Sequence, residues 1–98
     1  MSLRQRFQIL ATKWHNDTAG LSSPSQIAEH EAYQEIINMG PDVIPLILEE
    51  LRDRGGHWYI ALRKLVSDPP IIDPSMSGRM KEVRQIWVDW GRAAGYQL

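Results

Sequence analysis

The chain has 98 residues, 43% hydrophobic and 23% charged, which is the size of one ordinary domain with enough apolar side chain to offset chain entropy. Eleven Lys and Arg against twelve Asp and Glu leave a formal net charge of -1, so no overall field gathers phosphates or anionic lipid, although a local basic patch stays open. Cysteine is absent, which excludes disulfides, thiolate catalysis and cysteine-ligated zinc or iron–sulfur centres and fits a reducing compartment. Residues 1–10 carry no apolar run behind a basic segment, and no stretch approaches the ~18 apolar residues of a membrane span. A cytoplasmic protein without membrane association is the expectation.

Leu3, Phe7, Leu10, Ala11 and Trp14 recur at helical spacing, with Arg4, Arg6, Gln8 and Lys13 largely on the other face, so the first element is an amphipathic helix. The pattern stops at Asn16, Asp17 and Gly20, which favour turns. Ser23, Pro24 and Gln26 then form a helix start, with serine as cap, proline in the first turn and glutamine at the capping-box position. Ala32, Tyr33, Ile36 and Ile37 extend an apolar stripe to Gly40, a left-handed stop; whether a break near His30 divides this stretch is left open.

Pro41 suits a further start, and Ile44, Ile47, Leu48 and Leu51 define a buried stripe flanked toward solvent by Glu49, Glu50, Arg52 and Asp53. Pro45 either kinks this helix or marks its true beginning. After the turn Arg54-Gly55-Gly56, residues Trp58, Ala61, Leu62 and Leu65 recur at three and four. Residues 67–77 hold three prolines, in Pro69-Pro70-Ile71-Ile72-Asp73-Pro74, and read as an extended connection that the two isoleucines pin to the core. A last helix from near Gly78 to before Gly95 carries Met80, Val83, Ile86, Trp87 and Trp90 on a broad apolar face. No Asn-Gly hairpin or alternating run competes. The expected architecture is all-α: a compact bundle of about five helices with a proline-rich connection before the last, residues 1–98 making a single helical domain whose four tryptophans belong mainly to the core.

The elements Ser22-Ser23-Pro24, His30, Ala32-Tyr33, Ile36-Ile37, Met39-Gly40, Pro45-Leu46-Ile47-Leu48, Glu50-Leu51, His57-Trp58 and Ala61-Leu62, with Trp87, Trp90-Gly91 and Gly95-Tyr96, resemble those of a family of short, functionally uncharacterised bacterial all-helical proteins. That family often carries proline where this chain has Glu31, and the resemblance implies no activity. Within it, Gly40-Pro41 followed by residues 45–51 is similar to one helix of a HEAT-type repeat, a unit used for protein interaction. No second copy occurs at a convincing period, so a bundle and not a solenoid is expected.

Chemistry is sparsely signalled. His15, His30 and His57 lack metal-ligand spacing, there is no His-Glu-x-x-His pair, and no phosphate loop, nucleophile elbow or paired-carboxylate motif occurs. Ser22, Ser23, Ser25 and Ser75 read as caps and loop residues. No catalytic, cofactor-binding or metal residue is therefore assigned, no cofactor is expected, and the chain is read as non-enzymatic; an enzyme would need the histidines to meet acidic residues in a cleft.

Four residues are candidates for binding a partner. His30 and Tyr33, three apart, share a helical face, although an imidazole and a phenol packed inside and bonded to backbone is the favoured role. His57 and Trp58 follow two glycines, where Trp58 reads as the first core residue of its helix with its polar edge left open to a partner. The expected function is a small protein-interaction module, a regulatory or accessory subunit with an unidentified protein partner, using a helical patch or the connection at 69–77. The alternative is a nucleic-acid-associated adaptor contacting its target through Arg79, Lys81, Arg84 and Arg92 beside Trp87 and Trp90, against which the net charge argues. Oligomeric state is not legible.

Overall fold

The first helix, α1 (Leu3–Thr18), starts at a capping box: Ser2 Oγ accepts from the Gln5 amide at 3.1 Å and Gln5 Oε1 accepts from the Ser2 amide at 2.9 Å. That reciprocal bond is spelled by Ser2-x-x-Gln5. The helix runs through Asn16 and Asp17, where the sequence predicts its end. The reason is tertiary: Thr18 is buried and continues the Phe7, Ala11, Trp14 stripe by one turn, its Oγ1 donating to the Trp14 carbonyl at 2.6 Å, and burial outweighs the weak helix propensity of two residues. The computed structural model describes residues 1–21, 23–72, 75, 79–96 and 98, and not the side chains of Pro24, Ser25 and Met80.

The stretch left open at His30 is two helices, α2 (Pro24–Ala28) and α3 (Glu31–Asn38). His30 is the cap between them: its Nδ1 accepts the Ala32 amide at 3.1 Å, while Gln34 Nε2 reaches back to the Ala28 carbonyl at 2.8 Å. An aromatic nitrogen thus does the work of the usual serine or aspartate oxygen. The predicted caps and loop residues Ser22 and Ser25 lie outside what is described, Ser25 as to its side chain.

Gly40 (φ 83°) follows α3, and one 3-10 turn, Pro41–Val43, leads into α4 (Ile44–Asp53). Pro45 sits in the first turn of α4, where its missing amide costs no hydrogen bond, so it marks the start of the helix and does not kink it. Two left-handed glycines, Gly55 and Gly56, lead to α5 (Tyr59–Leu65), and α6 (Met80–Ala93) closes the chain. In the connection Ile72 is half-buried against the core but Ile71 is 98% exposed, so one isoleucine, not both, pins it. Asp73, Pro74, Ser77 and Gly78 of the predicted connection and helix start, and the Met80 side chain, lie outside the described residues.

α1 packs on α3, α3 on α5 and α4 on α6. The last contact is close enough that a Cβ on Gly91 would stand 2.7 Å from Leu48 Cδ1. The radius of gyration is 12.9 Å, as expected of a globular chain of about 100 residues. The architecture is all-α, with six α-helices and no strand among the described residues, and none of those helices is long and apolar enough to cross a membrane. Trp14, Trp58 and Trp87 are buried, and Trp90 is half-buried with its Nε1 donating to the Asp68 carbonyl at 3.1 Å.

Candidate functional site

At the centre of the core lies an aromatic cluster joining α1, α3 and the start of α5. The Tyr33 and Trp58 rings stack at 5.6 Å, and Trp14 lies 4.4 Å from Trp58 and 5.1 Å from Tyr33, with Phe7 at 5.8 Å from Trp58. Contacts of this kind stabilise beyond the area they bury. Trp14 Nε1 donates to the Ile27 carbonyl at 2.9 Å, tying α2 to α1. The Tyr33 hydroxyl donates to the His57 carbonyl and accepts from the Ala61 amide, both at 2.9 Å. Ala61 is the third residue of α5, whose cap position, Trp58, offers no side-chain oxygen. A tyrosine from α3 therefore supplies the missing cap. Burial raises the Tyr33 phenol from its ordinary value to about 12, against the smaller lowering by the Ala61 amide.

Tyr33 takes the internal, backbone-bonded role favoured for it, and neither it nor Trp58 has surface to offer a partner, both being 0% exposed. Trp58 does pack inward as predicted, but its polar edge goes with it. Its indole nitrogen is buried and, among the described residues, has no hydrogen-bond partner, like that of Trp87. His30 spends both ring nitrogens internally, Nδ1 on the Ala32 amide and Nε2 on Asp17 at 2.9 Å. With Nδ1 accepting, the proton of the neutral ring resides on Nε2 and is donated to the carboxylate. His57 is half-buried and contributes its carbonyl to Tyr33.

Glu50 is a second correction. Predicted to flank α4 toward solvent, it is 5% exposed, because α1 brings His15 opposite it: His15 Nε2 is 3.3 Å from Oε2, and Arg54 Nε is 3.5 Å from Oε1. A carboxylate withdrawn from water needs such partners. The two histidine–carboxylate pairs are separate, His15 with Glu50 and His30 with Asp17. Among the described residues no three His, Asp or Glu side chains gather as metal ligands would, and no hydroxyl is hydrogen-bonded to either ring. The pairs fasten α1 to α4 and to the α2–α3 junction.

The outer face of α1 is different in kind. Ile9 lies about 200° around the helix from Phe7 and is 56% exposed. Two shallow, mainly apolar grooves adjoin it, one bordered by Met1, Gln5 and Gln8, the other by Thr12, Lys13 and Asn16. Arg6 and Lys13 on this helix have no carboxylate partner among the described residues, whereas Arg4 is paired with Glu49 at 2.7 Å. Ile9 lies off the stripe of Phe7, Ala11 and Trp14, so its only mark in the sequence is that of an isolated isoleucine on a polar helix face.

Of the four cations on the last helix, Arg79 faces Glu82 at 3.6 Å and Arg92 faces Asp89 at 3.8 Å. Lys81 and Arg84 instead border a small cavity with Gly55, Gly56 and Tyr59. Trp87 is buried and Trp90 is bonded to the connection, which removes Trp87 as a base-stacking platform.

Comparison of the chain with family profiles, with curated proteins and with solved structures finds no match in any of the three. Among the described residues, fold and site together define an all-α bundle with a buried aromatic core and an outer face of α1 on which Ile9 stands exposed.

Proposed function

We propose that this chain is a small, non-catalytic, cytoplasmic protein-interaction module that engages its partner through the outer face of α1. The carrying observation is Ile9, an apolar side chain 56% exposed between two apolar grooves. Exposed apolar surface rimmed by polar side chains is what a contact site requires. Lys13, which borders one of these grooves without a carboxylate partner among the described residues, favours a partner helix that presents an acidic side chain beside its apolar ones. The likeness of the segment at 40–51 to a HEAT-type repeat helix supports the same role, and the lack of cysteine fits a reducing compartment. The nucleic-acid alternative has less support, since Arg79 and Arg92 are matched by acids on their own helix.

The test is a photo-crosslinking residue placed at position 9 in the native host, with the same residue at exposed Arg63 as control. A protein captured from position 9 only, and bound by the purified chain with an affinity that Ile9→Asp lowers at least tenfold, supports the proposal. Identical captures at both positions, or an affinity indifferent to Ile9→Asp, would overturn it.

A further inference from the structure

The turn between α4 and α5 carries a feature that the interaction face does not use. Gly55 and Gly56 are both left-handed, at φ 76° and 107°, and with Tyr59 they form one wall of a cavity of about 170 Å³ whose other wall is Lys81 and Arg84 of α6. A water's share of liquid volume is about 30 Å³, so the space accommodates a tetrahedral oxyanion and a few atoms of its carrier. Neither Lys81 nor Arg84 forms an ion pair among the described residues. The nearest buried carboxylate, Glu50, is already engaged by His15 and Arg54.

The carbonyls at the end of α4 do not occupy the cations either: the Gly55 amide takes those of Glu50 and Leu51, both at 3.1 Å, and the Arg54 amide also takes that of Glu50. Arg84 Nη1 is 3.3 Å from where a Cβ on Gly55 would stand, so glycine lets the guanidinium approach the turn.

We propose that this cavity binds a small molecule of the phosphate-monoester class, its dianion held between Arg84 and Lys81 against the Gly55–Gly56 turn. Paired arginine and lysine donors beside a turn whose two glycines carry no side chain of their own suit a doubly charged oxyanion, arginine by its planar fork and lysine as a point charge. The half-buried Tyr59 ring offers an apolar contact to the carrier.

Inorganic phosphate and phenyl phosphate, titrated into the full chain at constant ionic strength and followed by amide NMR and by melting temperature, test this. Saturable shifts at Gly55 and Gly56 and a rise in melting temperature are expected, with affinity falling about tenfold or more in Lys81→Ala and in Arg84→Gln. Lys81 is exposed, so its variant keeps the test valid if Arg84→Gln fails to fold. Ile9→Asp should bind phosphate as the parent does, which separates this site from the α1 face. No saturable shift, or equal affinity in the parent and the Lys81→Ala chain, would overturn the proposal.

Discussion

Replacing Tyr33 by phenylalanine removes one oxygen and leaves the ring stack in place. The lost hydroxyl is the sole side-chain cap on the Ala61 amide, and Ala61 is 0% exposed. A buried donor left without a partner costs about 1–3 kcal/mol, and loss of a helix cap typically about 1 kcal/mol. The His57 carbonyl is half-buried and exchanges its donor for water. Tyr33→Phe should therefore cost about 2 kcal/mol at pH 8, which for a chain of this length lowers the melting temperature by roughly 10 °C.

The pH dependence carries the sharper test. With the folded-state value at about 12 and the ordinary value at 10, the phenol ionises first in the unfolded chain. Its stabilising effect is complete below pH 10 and is lost as pH climbs to 12, at about 1.4 kcal/mol per unit. The gap between the parent and Tyr33→Phe should accordingly shrink by about 2–3 kcal/mol over that window. Burial also raises Tyr59, but that group is common to both proteins and cancels in the difference. Urea unfolding followed by tryptophan fluorescence from pH 8 to 12 measures the gap. A gap below about 0.5 kcal/mol at pH 8 would refute the capping role, and one that stays constant across the window would refute the burial of the neutral phenol.

Other consequences concern the same core. Trp14→Phe should cost about 1 kcal/mol more than Trp58→Phe in urea unfolding, because only Trp14 loses an indole hydrogen bond, to the Ile27 carbonyl; equal costs would contradict the contacts described. Gly56→Ala should destabilise by about 1–3 kcal/mol, since its φ is 107° and the new Cβ would meet His15 Cε1 at 3.2 Å; thermal unfolding checks this. A double-mutant cycle of His15→Ala and Glu50→Ala should give a coupling of about 0.5–3 kcal/mol, and additive effects would show that the pair does not fasten α1 to α4.

Much of the fold was legible because it rests on local rules. Helical spacing marks Phe7, Ala11 and Trp14, and Pro24, Gly40 and Gly55 punctuate the chain where backbone geometry demands it. Pro45 was readable as one of two outcomes, since a proline early in a helix either starts or bends it. What escaped depends on contacts distant in sequence. Nothing within α4 distinguishes Glu50 from its solvated neighbour Glu49; His15, 35 residues away, makes the difference. Asn16 and Asp17 signal a stop that the burial of Thr18 overrides.

The candidate site was read less well for a related reason. Histidine, tyrosine and tryptophan side chains have both an apolar body and a polar tip, so sequence alone does not say which one decides their place. In this fold the bodies win at Tyr33 and Trp58, and the tip of His30 is spent on a helix start. The exposed apolar side chain on which the proposed contact rests is instead an isoleucine that breaks the polar face of α1.

The central claim is that the aromatic cluster builds the fold while Ile9 meets the partner. It is tested most directly by measuring, for folded Ile9→Asp and Tyr33→Phe chains, both stability and affinity for the protein captured at position 9. Ile9→Asp should leave stability within about 0.5 kcal/mol and lower affinity at least tenfold, while Tyr33→Phe should lower stability and leave the affinity of the folded chain unchanged. The reverse assignment, with affinity lost in Tyr33→Phe and retained in Ile9→Asp, would contradict the account.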